Sequence, residues 1–116
     1  MIFFTVDGEP VPKQSFRFSR AGGYQPARVK DWQAMVAWAA RQAAAGYPPI
    51  EGEVSVRCWF RVGNRRRVDL DNLWKAVGDA IEGIVYLNDS QIVHLVLRKN
   101  LATLRELPPG VTVEVE

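Results

Sequence analysis

Asp69-Leu70-Asp71-Asn72-Leu73-Trp74-Lys75-Ala76-Val77-Gly78-Asp79-Ala80-Ile81-Glu82-Gly83-Ile84 carries two patterns at once. Leu70, Leu73, Trp74, Val77, Ile81 and Ile84 recur at helical spacing, a stripe along one side. Asp71, Asn72, Lys75, Asp79 and Glu82 fall opposite it. This spacing predicts an amphipathic helix with its apolar side on a core and its carboxylates toward solvent. Asp69 is placed as N-cap or first-turn residue, where a carboxylate is favoured. Gly83 suits the C-cap.

On the C-terminal side, Asn88-Asp89-Ser90 reads as a turn, followed by a strand from Gln91 to Lys99 rich in Ile, Val and Leu. Pro108-Pro109-Gly110 makes the last turn, and Val111 to Val115 reads as a short final strand at a sheet edge. On the N-terminal side, Glu53 to Val62 alternates strictly. Val54, Val56, Cys58, Phe60 and Val62 face one way, and Ser55, Arg57, Trp59 and Arg61 the other, which is a half-buried strand.

Before it, Trp32, Met35, Val36, Ala39 and Ala43 predict a helix from Pro26 to Ala45. Pro26 suits its first turn, Gly46 its stop, and Pro48-Pro49 prevents continuation. Met1 to Val6 reads as a strand that stops at Asp7-Gly8. Residues 13–25, with Ser15, Ser19, Gly22 and Gly23, read as a mobile basic loop or loose hairpin. The order is β-α-β-α-β-β: an α/β (α+β) domain over 1–116, one mixed sheet with two helices packed on it.

Several function classes drop out. No apolar run approaches the ~20 residues of a bilayer span, and Met1 to Val6 lacks the pattern of a signal peptide, so a cytoplasmic location is the expectation. Cys58 is the sole cysteine and His94 the sole histidine, which excludes zinc fingers, Cys/His nucleophile pairs and imidazole-based metal cages. Cys58 alternates with core residues. His94, inside a strand, reads as a structural or surface residue. Trp38 and Trp59 fall off their apolar faces and suit a dimer interface or DNA stacking.

Net charge is only +2, but it is segregated. Residues 13–30 carry Lys13, Arg17, Arg20, Arg28 and Lys30, and residues 57–67 carry Arg57, Arg61, Arg65, Arg66 and Arg67, with no acid in either stretch. Ten of the fifteen basic residues lie there, while acids gather at 69–89. Such separation suggests a polyanion held beside a cation site. Solvated loops are the plainer alternative.

Asp69 and Asp71 sit at a helix start, Lys75 lies one turn beyond Asp71, and Asp89 lies in the following turn. Asp89 joins the others if its strand returns it to the helix N-terminus. Carboxylates without imidazole suit a hard cation such as Mg²⁺, held by one or two carboxylates with waters and a phosphate. The ion would polarise a scissile phosphate and acidify a water, Lys75 would neutralise developing charge, and arginines would hold the DNA backbone. Each residue also has an ordinary role: Asp69 a cap, Asp71 and Lys75 a surface ion pair, Asn88-Asp89-Ser90 a turn.

The runs Val68 to Ile81 and Val85-Tyr86-Leu87-Asn88-Asp89-Ser90-Gln91-Ile92-Val93 resemble the signature of the RusA family of Holliday-junction resolvases. Gly8-Glu9-Pro10-Val11-Pro12-Lys13-Gln14 resembles that family's N-terminal motif, so the likeness spans most of the chain. It implies a homodimeric, Mg²⁺-dependent endonuclease (Mn²⁺ substituting) that resolves four-way DNA junctions by paired nicks in recombination and repair, in bacterial or phage-infected cells and often encoded by prophages. It implies Asp69, Asp71 and Asp89 as metal-binding and catalytic, and Lys75 as catalytic. Lys13, Arg17, Arg20, Arg28, Lys30, Arg65, Arg66 and Arg67 are then candidates for DNA contact, and Asn72, Asp79, Asn88 and Gln91 for supporting roles. The family usually has two aspartates at the turn, and here the first is Asn88. That departure keeps open a branched-DNA-binding module without catalysis. A nuclease for flaps, forks or RNA is a further alternative.

Overall fold

The computed structural model describes residues 1–13, 27–63, 68–102 and 108–116. Strands β1 (Ile2–Asp7), β2 (Val54–Val62), β3 (Ile92–Leu101) and β4 (Gly110–Val115) form a four-stranded mixed sheet in the order β1-β4-β2-β3. Helices α1 (Ala27–Ala44) and α2 (Leu70–Ile81) pack on one face of it. The β-α-β-α-β-β order read from the sequence is the order observed.

β4 corrects the sequence reading. It is not an edge strand: it pairs antiparallel with both β1 and β2, Val113 lying opposite Phe4 on one side and Cys58 on the other. Short length suggested an edge, yet Val111, Val113 and Val115 are fully buried between two neighbours. Gly110 begins the strand where a Cβ would lie 2.2 Å from the Val6 carbonyl oxygen, so this crossing admits no side chain. β2 and β3 are parallel, and the strand order leaves β1 and β3 as the two outer strands.

The helices also adjust the expected stripes. In α1 the buried line is Val29, Trp32, Val36, Ala40 and Ala44, leaving Met35 at its exposed margin. In α2, Leu73, Ala76, Val77 and Ile81 are fully buried, and the helix ends at Ile81. Ile84 continues the apolar period but lies beyond Gly83, whose φ of +83° turns the chain out of the helix. Gln33 Nε2 donates to the Ala76 carbonyl at 3.0 Å, tying the helices together.

The opposite sheet face is largely exposed, but Arg61 on it is buried, donating to the Pro108 carbonyl and the Thr112 hydroxyl. Trp59 there donates to Asn100 at 2.9 Å, with the Arg61 guanidinium 5.5 Å from its ring. Trp38 and His94 are exposed, and Cys58 is buried, its thiol pushed up to about 12 by desolvation. Among the described residues, no helix is long and apolar enough to cross a membrane.

Candidate active site

The topology gathers one end of the molecule. β1 is parallel to β2 because both run antiparallel to β4, and β3 is parallel to them. The carboxyl ends of β1, β2 and β3 therefore lie together. α2 starts at the same end, since Lys99 near the end of β3 donates to the carbonyl of Val68 at 2.6 Å. In open α/β sheets, this is the end where ligands bind.

Asp69 is the N-cap residue of α2 by position, with extended backbone (φ −69°, ψ 131°), but its carboxylate makes no capping hydrogen bond. Among the described residues it meets only the Asn72 amide, at 3.5 Å. Asp71, in the first turn, is exposed and makes neither an ion pair nor a hydrogen bond among the described residues. Lys75 turns instead to Asn72 Oδ1, at 3.4 Å. The two ordinary roles open to these residues, cap and i,i+4 ion pair, are both unmade. What remains is a pair of carboxylates without an ion-pair partner among the described residues, at the positive end of a helix dipole, with a lysine one turn away.

Of the described basic residues, Lys13 reaches the start of α2, whereas Lys30 lies beside Asp79 and Glu82, toward the other end of that helix. Lys13 donates its backbone N–H to the Asn72 carbonyl at 3.0 Å and its ammonium to Asp79 at 2.5 Å. The segment bearing Arg17 and Arg20 therefore departs from beside Asn72, and Arg65, Arg66 and Arg67 immediately precede Val68. Those five arginines lie outside the described residues. Arg28 and Lys30 are exposed in the first turn of α1. Lys30 also borders a shallow groove of about 610 Å³ with Lys13, Gln33, Asp79 and Glu82. Asp79 is thus the acidic partner of Lys13, which it holds against α2.

Asp89 lies elsewhere. The segment after α2 meets the segment before β2, with Ile50 N donating to the Val85 carbonyl at 2.8 Å. Asp89 then opens a short 3₁₀ turn, Asp89–Gln91, at the start of β3. The 12 residues of α2 span about 18 Å, so Asp89 sits at the opposite end of the helix from Asp69 and Asp71. The return of Asp89 to the helix N-terminus does not happen within one chain, because β3 runs toward that end rather than away from it. Among the described residues, no group of three His, Cys, Asp or Glu side chains is arranged to hold a metal.

The turn around Asp89 is built with care. Asn88 caps it by accepting from Ser90 N at 2.9 Å, a task an aspartate oxygen performs equally well. Gln91 Oε1 accepts from the backbone N–H groups of Leu87 and Asn88, both at 2.8 Å. Its amide nitrogen donates to the carbonyls of Ile50 and Gly52 at 2.8 and 2.7 Å. The Asp89 carboxylate itself is exposed. Tyr86, fully buried beneath, is held protonated by desolvation and by the nearby Glu82 and Asp89 charges.

Lys99 is the residue the sequence reading missed. Its signal is a charge in the helix-facing series Leu95, Leu97, Lys99, Leu101, paired with Val56, Cys58, Phe60 and Val62.

Residues 7–116 match the family model described as Endodeoxyribonuclease RusA. The chain is also similar to the "Crossover junction endodeoxyribonuclease RusA" of Aquifex aeolicus (strain VF5), 32% identical over 109 residues, covering 91% of this chain and 83% of that protein.

Proposed function

The chain belongs to the RusA family of endodeoxyribonucleases and is a structure-selective DNA endonuclease, and from that premise we propose that it resolves four-way junctions by paired, Mg²⁺-dependent nicks made by a homodimer. The observation that carries the reading is the pair of carboxylates, Asp69 and Asp71, that neither cap the helix nor form an ion pair among the described residues at the start of α2.

Two carboxylate oxygens and a nearby lysine fit Mg²⁺, a hard ion that keeps several waters and takes its remaining ligands from phosphate. When bound, the ion supplies Lewis acidity toward the scissile phosphate and lowers the pKa of a water. Asp69 and Asp71 would hold it. Lys75, exposed on the same face, faces the phosphate and offsets the charge that develops there. Arg28, Lys30 and the arginines of 14–26 and 64–67 contact backbone phosphates on either side, which fixes register without reading sequence.

Asp89 enters this site from the second copy. One chain keeps it a helix length away, whereas a two-fold dimer gives each site an Asp89 of the partner subunit and provides one site per strand to be cut. Asn88 does not favour an inactive binding module, because its oxygen serves as a cap in this turn.

The test is cleavage of a synthetic four-way junction, a flap and a linear duplex, in Mg²⁺ and in EDTA. Paired symmetric nicks on the junction that vanish in EDTA are expected. Asp71→Asn should lower the nicking rate by on the order of 10²-fold or more, since even groups that merely support a metal ligand cost 10–100-fold. Junction affinity should be retained, because Asp71 is exposed and has no hydrogen-bond partner among the described residues. Equal cleavage of flap and junction would replace the resolvase reading with a broader branched-DNA nuclease. Binding without nicking in Mg²⁺ or Mn²⁺ would leave only the binding module.

A further inference from the structure

We propose that the sheet face opposite the helices holds an unpaired DNA strand, with one base stacked on the ring of Trp59 and the phosphates on either side held by Arg57 and Arg98.

A buried arginine on that face shows how the ring is held. Arg61 is only 3% exposed, although both helices lie on the other side of the sheet. Its Nε donates to the Pro108 carbonyl at 3.1 Å and its Nη1 to the Thr112 hydroxyl at 2.9 Å. Its guanidinium carbon lies 5.5 Å from the centroid of the Trp59 ring, a cation–π contact that covers the charge. Trp59 Nε1 in turn donates to Asn100 Oδ1 at 2.9 Å. The indole is therefore fixed by Arg61 and by Asn100, yet it is still 40% exposed. A ring already held in place stacks with little further loss of conformational entropy.

The charges around the ring suit phosphate. Arg98 is the cross-strand neighbour of Trp59 on β3, and Arg57 lies two residues back on β2, on the same face. Both arginines are exposed, and neither forms an ion pair among the described residues. Glu114 lies opposite Arg57 on β4, half-buried, and makes no ion pair with it. Thr112, the neighbour of Trp59 on β4, is uncharged. Strand geometry sets Arg57 about 7 Å along from Trp59 and Arg98 about 5 Å across. Side chains as long as arginine reach from there to the phosphates flanking one stacked base.

The ring selects a single strand over a duplex. Paired, stacked bases present only their edges in the grooves, whereas an exposed aromatic ring binds the face of an unpaired base. Trp59 lies in the last four residues of β2, and Arg98 and Asn100 in the last four of β3. A strand held there leaves toward the end of the sheet where Asp69 and Asp71 lie. That link to cleavage rests on the nuclease reading above and extends the substrate to branches that adjoin a single strand; strand binding itself does not depend on it.

Fluorescence anisotropy of a labelled oligothymidylate, in EDTA so that nothing is cut, tests the site. Wild-type protein should bind it. Trp59→Ala should bind on the order of tenfold more weakly, the loss of one stacked base, and Trp59→Phe should recover most of the affinity. Arg98→Gln should lower the slope of log affinity against log salt by about 0.7. Trp38→Ala, at the exposed tryptophan of α1, should change nothing. Should Trp59→Ala not fold, wild-type protein irradiated with a strand containing 5-iodouracil answers the same question, and the crosslink should map to Trp59. A crosslink only elsewhere, or a folded Trp59→Ala that binds like wild type, would overturn the proposal. Equal losses on duplex and oligothymidylate would overturn it in favour of a duplex contact. Loss of self-association by Trp59→Ala with strand affinity kept would overturn it in favour of a second copy. Strand binding through Trp59 in a protein that never nicks would sink the nuclease reading and leave this site standing. Nicking by a protein that binds no single strand would do the reverse.

Discussion

Lys99 donates its ammonium to the carbonyl of Val68 at 2.6 Å, so the last turn of the β3 edge holds the residue that introduces Asp69. Lys99 thereby acts on the carboxylate pair through the backbone, as a positioning residue. Lys99→Met keeps the apolar stem and removes the donor. It should lower kcat roughly 10-fold, within the range seen when groups supporting a metal site are lost, and leave KM for the junction near its wild-type value. The exposed bond is worth on the order of 1 kcal/mol of stability. Partial recovery of kcat by Lys99→Arg would confirm that the hydrogen bond, not packing, is responsible. A rise in KM with kcat unchanged would instead make Lys99 a phosphate contact.

Gln91 offers a sharper chemical test, because its amide accepts at one end and donates at the other. Gln91→Glu retains the acceptor for Leu87 and Asn88 but sets an acidic oxygen against the Ile50 and Gly52 carbonyls. Two donated hydrogen bonds become two repulsive contacts, so the variant should lose about 2–3 kcal/mol in urea unfolding. Asn88→Asp, by contrast, keeps its cap oxygen and should fall within about 0.5 kcal/mol of wild type. A silent Gln91→Glu would mean that this clamp does not hold the turn.

These cases mark what the sequence could and could not reveal. Alternation in Glu53 to Val62 and the period of α2 are local signals, so the elements and their order were readable. Pairing is not local: nothing in Val111 to Val115 says that it lies between β1 and β2, and its shortness suggested an edge instead. The apolar period ran on to Ile84 because periodicity carries no account of the backbone, which Gly83 redirects. Asp69, Asp71 and Lys75 were readable as one cluster because a single helix presents them. Asp89 was not placeable, because its position depends on the direction of β3 relative to β2. Lys99 announced itself only as a charge out of pattern.

Lys13 and Asp79 form the one ion pair among the described residues, with side chains 31% and 48% exposed. At that exposure the pair is screened, and a double-mutant cycle should give a coupling of about 0.2–1 kcal/mol. The pairing also bears on DNA. Each phosphate contact contributes close to one unit to the slope of log affinity against log salt. Lys13 already has an acidic partner, so Lys13→Gln should change that slope by clearly less than one unit. Arg28→Gln, at an exposed arginine with no hydrogen bond or ion pair among the described residues, should change it by about one unit. Equal slopes would show that Lys13 releases Asp79 when DNA arrives.

Asp71 and Asp89 lie at opposite ends of α2, and this separation turns the composition of the active site into a mixing experiment. Asp71→Asn and Asp89→Asn should each be inactive alone. If each site draws Asp71 from one copy and Asp89 from the other, a mixed dimer places both substitutions in one site and leaves the second site intact. Random exchange makes about half the dimers mixed, each with one working site of two, so nicking should return to roughly a quarter of the wild-type rate. The product should also change: single nicks in one strand should replace paired nicks, because only one site per mixed dimer can act. Subunits drawing both aspartates from the same copy would give the opposite result. In that case every mixed dimer carries two damaged sites, and the mixture stays as inactive as its components.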